Sequence, residues 1–329
     1  MGVLKTLTAT ATVATALVGS IGLASAQEVV LRSADTHPDG YPTVEAVKYM
    51  GEVLKEKTDG RIEIQVFDSH QLGEEKETIE QTKFGVIDLN RVSFAPMNNI
   101  VPATSVVCLP YVFSSVDSFR QVMDGPVGDE VLAAFEPKGY IGLAVYDSGA
   151  RSFYNSKHAI NTLDDMNGLK IRVQQSDLFL DMVKALGANP TPMAYGEVYS
   201  GLQTGLIDGA ENNWPSYESS HHYEVAKYYS LDMHAQCPEV LMMSKVSYDK
   251  LSPEDQQAVR DAAKDSVKKM RELWDAQEEQ SRKIVEEAGA EINEVDTAPF
   301  QDAMAPIYDK YASTPELKDL LDKIRDAQK

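Results

Sequence analysis

The chain is short of thiols, of positive charge and of long apolar runs, and each shortage excludes something. Only two cysteines, Cys108 and Cys237, occur in 329 residues, too few for a disulfide-built scaffold. One bridge between them stays open, because sequence alone cannot show that they meet. Each sits in an apolar, strand-like run, which favours two buried free thiols. Lys and Arg number 31 against 51 Asp and Glu, a formal charge of −20. Such an acid excess disfavours nucleic acid or an anionic membrane as partner. No run beyond the N-terminal segment reaches the length needed to cross a bilayer. H-E-x-x-H, G-x-S-x-G and P-loop motifs are missing. His221-His222 has no partner at metal-ligand spacing and reads as surface. No cofactor or metal is expected.

Lys5 is the only charge in the first 27 residues, and Ala24-Ser25-Ala26 supplies an A-x-A cleavage site. That is the pattern of a secretory signal, cut near Ala26-Gln27 and implying export to the periplasm. About 300 residues then remain, enough for two lobes rather than one core.

Strand and helix patterns alternate along that length. "EVVLRSAD" reads as a strand, Thr43 to Lys57 as an amphipathic helix, and "RIEIQVF" as a strand of clean alternation. "GEEKETIEQTKFG" reads as a helix closed by Gly85, and "VIDLNRVS" as the next strand. A second such run starts near Gly139, with "YIGLAVYDSG", "GLKIRVQQS", a helix from Ser176 to Leu186, "MAYGEVYSGLQTG" and "LIDGAENN". The rhythm predicts an α/β fold of two lobes, each a mixed sheet with flanking helices. "QTKFGVIDLN" and "LQTGLIDGAEN" resemble one another, which suggests that the lobes share a design. From Ser252 to Gly289 a single helix is predicted, opened by Ser252 and Pro253. At 1.5 Å per residue it would be about 54 Å long, more than the width of one lobe. We therefore expect it to cross both. Residues 27–149 with 238–277 are assigned to the first lobe, and 150–237 with 278–329 to the second.

Ligands of open α/β sheets bind beyond the carboxyl ends of the strands. The residues reached there are His37, Glu75, Asn90, Arg151, Arg172, Asn212, Asn213 and Trp214. Two guanidiniums suit a carboxylate, which they hold by bidentate, charge-assisted bonds. Taken alone, Arg172 in "GLKIRVQQS" is an ordinary strand residue on the polar face.

The stretch from "GLKIRVQ" through "GANPTPMAYGEVYSGLQTGLIDGAENNW" resembles the extracytoplasmic solute-binding proteins of TRAP (tripartite ATP-independent periplasmic) transporters. "HQLGEEKETIEQTKFGVID" and "CLPYVF" match the same family. The resemblance covers essentially the whole mature chain and implies two lobes closing on a carboxylate-bearing ligand. It assigns Arg172 as principal anchor, Arg151 as second arginine, Asn212 as brace, and Tyr195 and Glu75 to the site. His37, Asn90, Asn213 and Trp214 are expected to read the rest of the ligand. The partners expected are a small carboxylate and the membrane permease of such a transporter, with the receptor a monomer.

One arginine pair among acceptors and amides suits a monocarboxylate with many hydroxyls. A sugar acid is therefore expected, hexuronates such as glucuronate and galacturonate first. A C4-dicarboxylate is the alternative within the same role. A rival of another class is a secreted sugar-acid lyase using His37 and Glu75 as acid and base.

Overall fold

The computed structural model describes residues 29–329; the expected signal segment, with Lys5 and its cleavage site, lies outside them. Eleven strands occur among the described residues. They are β1 Val29–Ala34, β2 Ile62–Phe67, β3 Leu89–Ser93, β4 Tyr140–Tyr146, β5 Arg151–Asn155 and β6 Lys170–Val173. β7 Asn189–Pro192, β8 Gly209–Asn212, β9 Tyr228–Ala235, β10 Glu239–Ser244 and β11 Glu291–Glu294 follow.

They form two sheets, ordered β2-β1-β3-β10-β4 and β11-β9-β5-β8-β6-β7. In the first, β1 runs parallel to β2 and β3, while β10 is antiparallel to β3 and β4. In the second, β6 is parallel to β7 and β8, and β5 is antiparallel to β8 and β9. The two lobes thus repeat one plan, with β11 added to the second. Each takes one strand from the other half of the chain: β5 follows β4 directly, and β10 follows β9 directly. Residues 147–150 and 236–238 are therefore the two strand crossings between lobes. β3, β4 and β10 are buried along their whole lengths, as expected of strands covered on both faces.

The similarity between the two short segments has a structural basis. Gly85 and Gly205 both take left-handed φ, 73° and 72°, a backbone region open to glycine at little cost. Three residues on, Asp88 accepts from the Arg32 amide at 2.8 Å and Asp208 from the Lys170 amide at 2.9 Å. Each carboxylate satisfies a backbone donor near the start of a parallel strand pair.

The predicted long helix runs from Pro253 to Glu287, with the Ser252 hydroxyl accepting from the Asp255 amide at 3.1 Å. It packs on the Pro42–Lys57 helix and β4 of the first lobe and on the Trp214–Ser219 helix of the second. Trp274, 1 % exposed, sits at the centre of that contact. The C-terminal helix, Pro315–Ala327, lies against the helices Pro102–Val107, Val116–Met123 and Pro126–Ala133.

Two expectations are corrected. Cys108 and Cys237 form a disulfide, their Cα atoms 4.5 Å apart, and no cysteine is free. Apolar neighbours report burial, which both residues have. Pairing depended on the β9-to-β10 crossing bringing Cys237 to the end of the Pro102–Val107 helix. His222 is not surface: it is 1 % exposed, and its Nδ1 meets the Tyr154 hydroxyl at 2.7 Å. Burial, with the Arg172 charge behind it, lowers its pKa to about 3, so the ring is neutral. His221 beside it is exposed.

Candidate functional site

Strand ends from both sheets meet in a cleft of about 290 Å³ next to the two crossings. Of the expected residues, it brings together His37, Glu75, Arg151, Arg172, Tyr195 and Asn212. A larger groove of about 2050 Å³ lies elsewhere, between β4 and the long helix. There Arg271 is paired with Asp124 and Asp147, and Arg260, Lys264 and Lys268 are exposed, so among the described residues that groove offers no buried, unpaired cation.

The second lobe supplies the cationic wall. Arg151 opens β5 and is paired: Glu211 takes Nε and Nη2, and Asn212 Oδ1 takes one proton of Nη1 at 2.9 Å. His234 lies 3.4 Å from Glu211 through Nε2 and 2.9 Å from Asp232 through Nδ1. Burial alone would raise Glu211, but Arg151 and His234 outweigh it and hold the carboxyl near 2. Burial would likewise lower His234, yet Asp232 and Glu211 raise it to about 9. These four charges cancel. Arg172 on β6 differs: it is 3 % exposed, and among the described residues no carboxylate lies within ion-pair distance of it. Its Nε donates to the Met193 carbonyl at 3.0 Å, and its guanidinium carbon lies 5.9 Å from the centre of the Tyr195 ring. Burial lowers its pKa, the mark of a charge lacking a counter-ion.

The first lobe supplies an acidic wall of which sequence reasoning found Glu75 but missed Asp35, Arg91 and Glu239. Arg91 on β3 is 1 % exposed and binds Asp35 through Nε and Nη2, and Glu239 through Nη1 at 2.7 Å. Glu75, the first residue of the Glu75–Lys83 helix, reaches the same Nη1 at 3.3 Å and accepts from the Ser93 amide at 2.8 Å. His37 stacks on Tyr41 with ring centres 3.7 Å apart and meets Tyr195 edge-on at 5.3 Å. Burial, then the charges of Arg91, His70 and Arg151, hold its pKa well below the ordinary range. The ring is therefore neutral, with one donor and one acceptor nitrogen. Its Nδ1 is buried without a partner.

Counted from Asp88 and Asp208, Arg91 and Glu211 hold the same place in the two lobes. By register, Glu239 faces Ser93 as Arg151 would face Asn213, so Glu239 and Arg151 correspond as well. Both lobes thus bury an ion pair between equivalent positions, with the charges exchanged. The signal was present in the sequence, since Arg91 and Glu239 are charges beside apolar strand residues in "DLNRVS" and "PEVLMMS". It could not say which strands those charges would join.

Three expected residues lie away from the cleft lining. Asn90 turns to Thr82, its Nδ2 donating to Oγ1 at 3.1 Å. Asn213 caps the Trp214–Ser219 helix, accepting from the Ser216 amide at 2.8 Å, and donates to the Ser148 hydroxyl at the first crossing. Trp214 stacks on Tyr229 with centres 4.0 Å apart, in the aromatic core of the second lobe. Gln174 and Ser216 line the cleft instead. Tyr195 is half-buried and its hydroxyl donates to the Ser216 carbonyl at 3.2 Å.

Two α/β lobes, paired crossings and one uncompensated guanidinium in the cleft define a solute-binding receptor. Comparison with known proteins identifies the line. Residues 33–314 match the family described as bacterial extracellular solute-binding protein, family 7 (DctP), and the chain belongs to it. A solute-binding protein of Chromohalobacter salexigens is 46% identical over 306 residues, 92% of this chain and 91% of that one. A TRAP periplasmic solute-binding protein from Bradyrhizobium sp. BTAi1, solved with galacturonate, superposes with a TM-score of 0.89 at 56% identity, covering 90% of this chain and 99% of that one. One from Chromohalobacter salexigens, solved with D-glucuronate, gives 0.88 at 46% identity, with 90% and 99% covered. The family consists of receptors, so the lyase reading is set aside.

Proposed function

We propose that this chain is the periplasmic receptor of a TRAP transporter, binding a hexuronate and delivering it as a monomer to the membrane permease. The observation that carries this reading is the contrast between the two arginines of the second lobe. Arg151 is matched by Glu211, so Arg172 is the charge that needs an anion. A ligand carboxylate there gains charge-assisted bonds, and Asn212, its Oδ1 spent on Arg151, keeps its NH₂ for the same ligand. The opposite wall holds Glu75, Glu239 and a neutral His37. Those groups hydrogen-bond to sugar hydroxyls, and Asp35 with Glu239 outnumbers Arg91 on that wall, which disfavours a second carboxylate and counts against a C4-dicarboxylate. The galacturonate and glucuronate found in similar proteins support the same class.

A thermal-shift series tests it. Glucuronate or galacturonate at 1,000 times its dissociation constant should add about 4 kcal/mol of stability. Stabilisation by succinate or malate, with none from any uronate or aldonate, would overturn the reading.

A further inference from the structure

Three carboxylates converge on one guanidinium in the first lobe. Arg91 offers Nε and Nη2 to Asp35 and shares Nη1 between Glu239 and Glu75. Asp35 is well provided for, since the Thr43 hydroxyl and the His37 amide also donate to it, at 3.0 and 2.8 Å. Glu239 has the shorter Arg91 bond and the Ser148 hydroxyl at 3.1 Å. Glu75 is the acid left short. Both of its bonds, from Ser93 N and the longer one from Arg91, end on Oε1. Its Oε2 has no partner among the described residues.

The charges around Glu75 come from every element packed near it. Arg91 lies on β3, Glu239 on β10, Asp35 just after β1, and Arg172 faces the cleft from β6. His37 beside them is neutral, and Glu74, just before the Glu75–Lys83 helix, turns away to His70, 3.0 Å off. One cation therefore serves three acids on this wall. A ligand carboxylate would occupy Arg172, the one charge that could have relieved them. Two carboxylates drawn to one donor in a water-poor site cannot both stay ionised cheaply.

We propose that Glu75 takes up a proton when the lobes close on the ligand, so that the receptor carries a proton at this residue together with each sugar acid. This rests on reading the cleft as the ligand site. Once protonated, Oε2–H donates to a ligand oxygen and no longer opposes the bound carboxylate. Burial, against the pull of Arg91 and aided by Glu239 and Asp35, already raises the Glu75 pKa to about 7. In open lobes Glu75 would face water with its ordinary value. A closed-state pKa above the open-state one favours binding at low pH, and that gain is lost as pH rises through about 7. His37 works in the opposite sense, because burial lowers its pKa and makes it shed a proton on closure. The effect of Glu75 must therefore be read against a variant lacking it.

Calorimetric titration with D-glucuronate or D-galacturonate, in two buffers of different ionisation enthalpy, counts the protons. Wild type should take up close to one proton more than Glu75→Gln at pH 6, and about half a proton more at pH 7. The ratio of their affinities should fall about tenfold between pH 6 and pH 8. Glu239→Gln, which removes one neighbouring acid, should lower the uptake at pH 7. Equal proton counts in wild type and Glu75→Gln at both pH values would overturn the proposal. Should Glu75→Gln fail to bind, carboxyl ¹³C spectra of ligand-bound wild type with labelled glutamate decide. A glutamate titrating near pH 7 only when ligand is bound, and missing from Glu75→Gln, upholds the proposal; glutamates all ionised at pH 6 sink it. Absence of binding by either uronate would instead bring down the functional reading itself.

Discussion

At the scale of single residues, three buried arginines divide between two jobs. Arg91 and Arg151 are tied to carboxylates of their own lobes, and removing either strands buried acids. Arg91→Met should cost about 3 to 5 kcal/mol of stability, read as a lower midpoint in urea. Arg172→Ala should lower the ligand-free midpoint less than Arg91→Met, because no carboxylate is orphaned. It should abolish measurable binding, a loss of about 2 to 5 kcal/mol or more. Arg172→Lys should also bind poorly, since an ammonium cannot reproduce the planar fork. Wild-type affinity of Arg172→Ala by calorimetry would refute the anchor. The network behind Arg151 predicts a pH profile. Glu211, held near 2, stabilises the fold above about 4.5 and loses that contribution as pH falls towards 2. His234, raised to about 9, stabilises it below about 6.5 and loses that contribution as pH rises towards 9. Melting temperature should therefore fall between pH 7 and 9, and His234→Gln should flatten that slope.

At the scale of elements, the crossings lead straight into charges that line the cleft. Arg151 is the first residue after one and Glu239 the first after the other, so the swap of strands places one charge on each wall of the cleft. The disulfide holds the second crossing to the Pro102–Val107 helix. It closes a loop of 129 residues, for which chain entropy predicts a stabilisation of about 4 to 5 kcal/mol. Cys108→Ala with Cys237→Ala should lose stability of that order in chemical denaturation. No loss would mean that packing alone holds the crossing. β8 is constrained in another way. A side chain on Gly209 would place its Cβ 2.3 Å from the Tyr154 carbonyl oxygen on the neighbouring strand. Backbone cannot step aside there, so Gly209→Ala should cost about 1 to 3 kcal/mol and weaken ligand binding by moving Asn212.

At the scale of the whole molecule, two lobes joined by two strand crossings and one long helix make a hinge. Contacts between the lobes include hydrogen bonds beside the His37–Tyr195 ring contact, and one apolar cluster holds residues of both. Tyr41 meets Ser216 at 2.9 Å, Asn98 donates to Ser176 at 2.9 Å, and Ser93 reaches Gln174 at 3.4 Å. Each such hydrogen bond is worth about 0.5 to 1.5 kcal/mol, and a ligand held between the walls would add to them. Small-angle scattering should show a smaller radius of gyration at saturating ligand. An unchanged curve, with binding confirmed on the same sample, would rule out hinge closure.

Much was legible in the sequence because local patterns report local physics. Alternation in "RIEIQVF", the Gly85 and Gly205 caps, and the Ser252-Pro253 start all appear as elements where the patterns put them. Resemblance over the whole mature chain led to the receptor class and to Arg172. What the sequence could not decide were the pairings between distant strands. Period and propensity do not reveal which charge neutralises which, so Arg91 and Glu239 passed unnoticed, and Asn213 and Trp214 were expected at the ligand. Only the exchange of β5 and β10 between lobes joined Arg151 to Glu211, Arg91 to Glu239 and Cys108 to Cys237. That exchange left Arg172 as the one buried guanidinium among the described residues with no carboxylate of its own, because the energy of a buried charge depends on neighbours that the chain brings up from far away.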